Sequence, residues 1–161
     1  MGFELNSQQA EAVIKAEKWW RGLYKQVFEI SGPAGSGKTT IVYELIKNMG
    51  LQHDEVLFMA YVGKAAMVLS MKGNNAKTIH SSIYRLEDVP KFDENGLPIK
   101  KNGRTVTTTR FVRKEFLPRN IKLLVVDEGS MVDKKTAEDI LSFNLPVLVL
   151  GDLNQLPSCV S

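Results

Sequence analysis

Apolar runs of strand length alternate with amphipathic segments along most of the chain. Four segments of strand length cover residues 25–30, 56–61, 121–126 and 145–150, and in the first of them Val27, Phe28 and Ile30 supply the apolar positions. Continuous apolar runs are typical of strands that are buried on both faces of a parallel sheet. Between the first two runs, apolar residues recur at helical spacing from Ile41 to Met49, and Gly50 ends the series. The alternation predicts an α/β fold, with a parallel sheet that carries helices on both faces.

The N-terminal segment has the pattern of an amphipathic helix. Asn6 or Ser7 is a suitable N-cap, and the apolar face continues to about Trp20. We interpret Trp19 and Trp20 as packing residues. Gln9 is different, because a glutamine side chain carries both a donor and an acceptor and can pair with the edge of an adenine base. One glutamine is weak evidence, so this assignment depends on the motifs that follow it.

Residues 88–119 interrupt the alternation of strands and helices. Asn95-Gly96 and Asn102-Gly103 are both signals for type I′ turns, and their flanks are rich in Thr, Val and Phe. We therefore expect an inserted β-hairpin that divides the chain into residues 1–87, 88–119 and 120–161. The basic residues of its second half are Lys100, Lys101, Arg104, Arg110, Arg113, Lys114 and Arg119. Such a run forms either a solvated face or a phosphate-binding surface, and composition alone favours neither.

Length and composition limit the class of protein. The chain has 161 residues, 43% hydrophobic and 24% charged, with a net charge of +3, which fits one globular domain of ordinary size. The single cysteine, Cys159, cannot form an intramolecular disulfide, so we expect a reducing, cytoplasmic compartment. No apolar run is long enough to span a membrane, and we expect no membrane association.

The chemistry of the chain is concentrated first in a glycine-rich segment. Its residues are Gly32, Pro33, Ala34, Gly35, Ser36, Gly37, Lys38 and Thr39, and they fit the phosphate-binding loop G-x-x-x-x-G-K-[ST]. Loop N–H groups and the dipole of the following helix favour a polyphosphate. Lys38 would then contact the β and γ phosphates of ATP, Thr39 would hold Mg²⁺, and Thr40 completes the nucleotide-binding stretch. A chance glycine-rich turn is the alternative, which the predicted strand before it and helix after it disfavour.

Carboxylates and amides follow two of the later strands. Asp127 and Glu128 end the run at 121–126 in the Walker B arrangement, where Asp127 would hold Mg²⁺ and Glu128 would deprotonate the attacking water. Gln155 follows the last strand and could sense the γ-phosphate. Adjacent acids can also form an ordinary turn, but the phosphate-loop motif upstream makes that alternative weaker.

Three further residues are candidates for contact with a nucleic acid. Lys64 follows the strand at 56–61, at the sheet edge where open α/β sheets bind ligands; alone, it is as readily a solvated lysine. Residues 76–81 begin a short predicted helix, in which Thr78 and His80 could contact phosphate or sugar, or could only cap that helix.

Taken together, the motifs resemble those of superfamily 1 helicases. Residues 5–9 are similar to the Q motif, 32–39 to motif I, 60–66 to motif Ia, 78–80 to motif Ib, 127–130 to motif II and 151–157 to motif III. The set most resembles the RecD-like branch, superfamily 1B, which includes the alpha subunit of exodeoxyribonuclease V. Four residues depart from the family pattern. Tyr61 and Val62 stand where motif Ia usually has Pro-Thr, Gly129 stands where motif II usually has Ala, Ser or Val, and Ser158 stands where a second Pro is common after motif III.

The resemblance implies a RecA-like P-loop NTPase domain of an ATP-dependent DNA helicase that moves 5′ to 3′ on single-stranded DNA. It implies ATP and Mg²⁺ as cofactors, and a sheet in which the strand of motif III lies between those of motifs I and II. In this family, the segment between motifs Ib and II carries the pin, a hairpin that splits the duplex. Residues 88–119 match the pin by position, which adds Lys100, Lys101 and Arg104 to the expected DNA contacts.

Motifs IV to VI, with a second RecA-like domain and its arginine finger, are not among these residues. We therefore expect the first motor domain alone, with weak or no turnover without the second domain. Two alternatives stay open. One is a P-loop ATPase that does not act on DNA, and the other is a module that binds nucleotide or DNA without turnover.

Overall fold

The computed structural model describes residues 5–22, 25–31, 38–60 and 76–151, and for residues 38, 39 and 76 only the backbone. The helices are α1 (Ser7–Gly22), α2 (Lys38–Met49), α3 (Ile79–Ile83) and α4 (Lys134–Leu141). The strands are β1 (Val27–Ile30), β2 (Val56–Ala60), β3 (Ala76–Thr78), β4 (Tyr84–Pro90), β5 (Lys100–Lys101), β6 (Arg104–Thr105), β7 (Thr107–Arg113), β8 (Leu123–Asp127) and β9 (Val147–Leu150). Short 3-10 turns cover His53–Glu55 and Gly129–Met131.

Five strands form one parallel sheet in the order β1-β9-β8-β2-β3. The strand of motif III, β9, lies between the strands of motifs I and II, β1 and β8, as expected for a RecA-like domain. Every residue of β2 and β9 is buried, which explains why these strands are apolar at each position rather than at alternate ones. The predicted α/β class is confirmed.

Helices cover both faces of this sheet. On one face, α1 and α2 pack through residues such as Trp19 and Leu45 against Phe58 of β2. On the other face, α3 and α4 pack through residues such as Ile83 and Ile140. Successive strand residues point to opposite faces, so the continuous apolar runs supply both core layers at once.

A long antiparallel ribbon projects from the domain between β3 and β8. It consists of β4 and β7, paired over seven residues from Tyr84↔Arg113 to Pro90↔Thr107. Beyond this, the chain makes a second short hairpin of β5 and β6, and backbone bonds join Lys91, Ile99 and Val106 at the base of that tip. An inserted β-hairpin is therefore present, as expected from the sequence, but its paired strands run from Tyr84 to Arg113 rather than from residue 88 to residue 119.

The two predicted turns of the hairpin differ. At Asn102-Gly103 both residues have positive φ, 53° and 77°, as a type I′ turn requires. At Asn95-Gly96 the type I′ prediction is wrong, because among the described residues Gly96 has positive φ but Asn95 does not. The physical reason is Asp93, whose Oδ1 accepts from the N–H groups of Asn95 and Leu97, both at 2.9 Å. These bonds to the side chain of Asp93 form an Asx-type turn, which favours a wider loop than a type I′ turn.

Among the described residues, no helix combines the length and the apolar character needed to cross a membrane.

Candidate nucleotide site and hairpin surface

The carboxyl ends of the sheet strands lie at one level. The registers pair Ile30 with Leu150, Val126 with Val149, Asp127 with Ala60, and Ala60 with Thr78. Adjacent strands lie about 4.8 Å apart, so the backbone of Asp127 is roughly 10 Å from that of Ile30, two strands away. The end of the strand before the phosphate-loop motif and the Walker B carboxylate are thus on the same edge, which is where open α/β sheets bind ligands.

The phosphate-loop motif connects β1 to α2. Residues 32–37, which are Gly32, Pro33, Ala34, Gly35, Ser36 and Gly37, lie outside the described residues, as do the side chains of Lys38 and Thr39. The backbone of Lys38 begins α2, whose first turn carries no acidic residue and contains the half-buried Thr40. A helix start without acids favours a bound anion through its N–H groups and dipole. The strand-then-helix context that distinguishes the motif from a chance glycine-rich turn is therefore present.

The Walker B carboxylates follow directly from β8. Asp127 is half-buried, and its Oδ1 accepts from the N–H of Glu128 at 2.9 Å. Hard carboxylate oxygens are the ligands that Mg²⁺ prefers. Within the described ranges, no three His, Cys, Asp or Glu side chains form a metal-binding cluster. An ion here would take its other ligands from phosphate and water, which is how Mg²⁺ is usually held, so these residues fit a Mg²⁺–nucleotide complex.

Glu128 is exposed and has a left-handed backbone, with φ 54° and ψ 50°. This conformation costs a residue with a side chain about 1–2 kcal/mol. The surrounding turn fixes it, because Met131 N–H bonds to Glu128 O at 2.9 Å and Gly129 is buried. Strained backbones of this kind occur preferentially at functional sites, and sequence pattern gave no signal for this one.

Gln9 closes the N-terminus of α1. Its Oε1 accepts from the N–H of Asn6 at 2.9 Å, and its own N–H donates to Asn6 Oδ1 at 2.8 Å. This is a reciprocal capping box, which the spacing of Asn6 and Gln9 could have predicted. A shallow cavity between this part of α1 and the end of β1 is lined by Gln8 and Ser31, among others. Gln8, the neighbour of Gln9, thus lies beside the end of β1, and the role of Gln9 toward adenine stays a prediction.

Thr78 and His80 flank the start of α3. Thr78 is the N-cap, because its Oγ1 accepts from Ser81 N–H at 3.2 Å. Of the two roles considered for Thr78, the structure therefore shows the capping role. His80 is exposed, and its ring centroid lies 5.2 Å from that of Tyr84 and 5.4 Å from that of Phe111. Both residues lie where β3 meets the hairpin, and a contact with DNA stays a prediction for each. Lys64 and Gln155 lie outside the described residues.

The tip of the hairpin combines exposed cations with exposed apolar side chains. Lys101 pairs with Arg104 and Lys100 with Thr105 in the register of β5 and β6. All of these are exposed, and within the described part of the chain none of the three cations forms an ion pair. Large apolar residues beside them are also exposed: Phe92, Leu97 and Ile99. Residues 84–114 contain eight basic and four acidic residues, so the hairpin carries more positive charge than the whole chain, at +3.

The opposite end of the ribbon is anchored by a buried carboxylate that sequence reasoning missed. Asp139 of α4 is only 5% exposed, and its Oδ2 accepts from the hydroxyl of Tyr84 at 2.5 Å. Lys135 Nζ lies 3.1 Å from the other oxygen. Burial, and then the bond to Asp139, raise the pKa of Tyr84 to about 12. An aspartate on a helix and a tyrosine 55 residues earlier give no local sequence signal.

Comparison with protein families matches residues 9–161 to a family described as an AAA domain. Among solved structures, 11 chains match. One is the structure of unliganded Pif1 from Bacteroides sp., with a TM-score of 0.54 and 25% sequence identity, and the match covers 98% of this chain and 33% of that chain. The chain therefore spans about a third of the length of that relative. No match was found among curated proteins.

Proposed function

The chain belongs to the AAA domain family, and on that premise we propose that it is the nucleotide-hydrolysing motor domain of an ATP-dependent DNA helicase. The observation that carries the proposal is the common level of the strand ends. The end of β1, the carboxylate of Asp127 and the end of β9 lie on one edge of the sheet, which supports the proposal.

Each residue has a proposed role at this edge. Residues 32–37 and the start of α2 hold the phosphates of ATP, with Lys38 on the β and γ phosphates. Thr39 and Asp127 hold Mg²⁺, which when bound neutralises phosphate charge. Glu128 orients and deprotonates the attacking water, Gln155 senses the γ-phosphate, and the side-chain amide of Gln9 pairs with the edge of adenine.

We further propose that the partner of the motor is single-stranded DNA. The support is the hairpin, whose tip presents Lys100, Lys101 and Arg104 without carboxylate partners among the described residues. Lys64, Thr78 and His80 would contact the DNA backbone beside it. The RecD-like assignment, 5′ to 3′ movement, a second RecA-like domain in the parent chain and a cytoplasmic location are proposals that rest on the sequence.

Steady-state ATP hydrolysis with and without single-stranded DNA, by this domain and by a longer chain that includes the second RecA-like domain, tests the proposal, together with equilibrium binding of a Mg²⁺–ATP analogue. We expect Glu128→Gln to abolish turnover while leaving analogue binding within about twofold, because the change removes the base and no proposed phosphate contact. The matched control is Glu138→Gln, at an exposed glutamate of α4, which should keep both. Turnover that survives in Glu128→Gln would show that the base is another residue. ATP turnover without any response to DNA would favour a motor that acts on something else.

A further inference from the structure

At the base of the hairpin, which we call the foot, both hairpin strands contact the same helix, α4. The foot consists of Tyr84 and Arg113, which are partners in the antiparallel register. Tyr84 bonds to Asp139 on α4. Arg113 donates from Nε to Ser142 Oγ at 2.5 Å, and its guanidinium carbon lies 4.0 Å from the centroid of the Phe143 ring. Both strands of the ribbon therefore contact the C-terminal end of α4.

A hydrogen bond links these two contacts to each other. Ser142 Oγ also donates to the backbone oxygen of Asp139 at 2.6 Å, which joins the acceptor of Tyr84 to that of Arg113. The carboxylate of Asp139 is buried, so removing a partner leaves a buried acceptor with fewer bonds, a costly change. The planar guanidinium combines stacking with a directed N–H donor, which a lysine cannot reproduce. The foot thus holds α4 in one geometry.

Helix α4 connects the two central strands of the sheet, from the carboxyl end of β8 to the amino end of β9. Its N-cap, Asp133, comes five residues after Glu128, and its far end leads into β9. At the end of β9, Gly151 N–H bonds to Ile30 O at 2.8 Å. A Cβ placed on Gly151 would lie 3.7 Å from the backbone nitrogen of Gly129. A shift of the Walker B turn therefore acts on the N-terminal end of α4, and it reaches the foot at the C-terminal end when the helix moves as a rigid element.

We propose that Tyr84 and Arg113 are positioning residues that couple the nucleotide state of the sheet edge to the hairpin. Neither residue contacts nucleotide in this scheme. They act through α4, because a displacement of that helix must either carry the ribbon with it or break the foot. The inference rests on the proposed function, since it presumes that the sheet edge binds nucleotide and that the hairpin binds DNA.

The test measures how much a bound nucleotide analogue changes the affinity for DNA, rather than the affinity itself. The dissociation constant of labelled single-stranded oligothymidylate is measured by anisotropy for the full chain, with and without a saturating Mg²⁺–ATP analogue. Coupling between two sites commonly changes affinity about 5- to 150-fold, and we expect the wild-type ratio to lie in that range. Tyr84→Phe keeps the ring beside His80 and Phe111 but removes the hydroxyl, and Arg113→Lys keeps the charge but removes the stack and the Nε donor. Each should bring the ratio below about twofold while changing each affinity alone by less than threefold.

The matched control is Thr109→Val, which removes the bond from Thr109 Oγ1 to Asp88 at 2.7 Å, in the middle of the same ribbon. It should keep the wild-type ratio. The inference is overturned if wild type binds both ligands with a ratio near one, if both foot variants keep the wild-type ratio, or if the control loses it equally. A wild-type chain that binds no nucleotide would instead overturn the proposed function, and separate measurement of each affinity distinguishes the two failures. Arg113→Lys provides the test if Tyr84→Phe does not fold.

Discussion

The charge on the hairpin tip gives a quantitative prediction about binding to single-stranded DNA. The change is the triple substitution of Lys100, Lys101 and Arg104 by alanine, at exposed positions of β5 and β6. Each phosphate contact on a single strand contributes about −0.7 to the slope of log affinity against log salt, so the loss of three contacts should flatten the slope by about 2. Between 50 and 200 mM salt, the wild type should therefore lose roughly 20-fold more affinity than the variant.

The assay is anisotropy of a labelled oligonucleotide at four or more salt concentrations, and the slope is the result that matters. The control removes the same charge elsewhere, by alanine substitution of Lys18, Arg21 and Lys47. These residues are exposed on α1 and α2, across the sheet from the helix that the hairpin contacts. The control slope should stay close to that of the wild type. Equal slopes for the triple variant and the wild type would refute the reasoning, and equal flattening in the control would mean that net charge, rather than the tip, sets the affinity.

Two further predictions concern stability. Asp133→Ala removes the cap on Thr136 N–H, a bond of 2.7 Å, and should lower the free energy of unfolding by about 1 kcal/mol at pH 7, whereas Asp133→Asn should retain most of it. The bond to the backbone of Thr136 lowers the pKa of Asp133. The stabilisation by the cap is therefore present above the ordinary aspartate pKa and is lost as the pH falls through the lowered pKa. If Asp133→Ala lowers the free energy of unfolding equally at neutral and acid pH, the cap is contradicted. In the hairpin, Asn102→Ala places alanine at φ 53° and should destabilise the tip by about 1 kcal/mol, seen as faster amide exchange around β5 and β6, while Asn95→Ala should change little. Equal effects would mean that both turns are type I′.

The parallel sheet could be predicted because its central strands are apolar at nearly every position. β2, β8 and β9 are buried on both faces, so their composition alone indicates their state. β3 was not predicted, because it has three residues, Ala76–Thr78, and is a strand through its pairing with β2 rather than through its own preference. The strand order followed from a resemblance to a family, and no local property of the chain encodes it.

The candidate site also has some features that could be predicted from the sequence and others that could not. Asp127 and Glu128 could be singled out as candidates because a carboxylate pair at the end of an apolar run is a local pattern. The foot of the hairpin could not be, since Tyr84 and Asp139 are brought together only by the packing of α4 against the sheet. The turn at Asn95 was predicted wrongly because the dipeptide signal omits the competing acceptor on Asp93. Capture of backbone N–H groups by a nearby side chain overrode the intrinsic preference of Asn-Gly.

The left-handed backbone of Glu128 has a consequence for protein engineering. Glycine and asparagine accept that conformation more readily than glutamate does, so stability alone would replace the proposed base. A selection for thermal tolerance that ignores turnover should therefore accumulate changes at this position early, and each of them would leave a well-folded chain without the proposed base. Any thermostabilised version of this domain should be screened for hydrolysis at every round, because stability and activity favour different residues at Glu128.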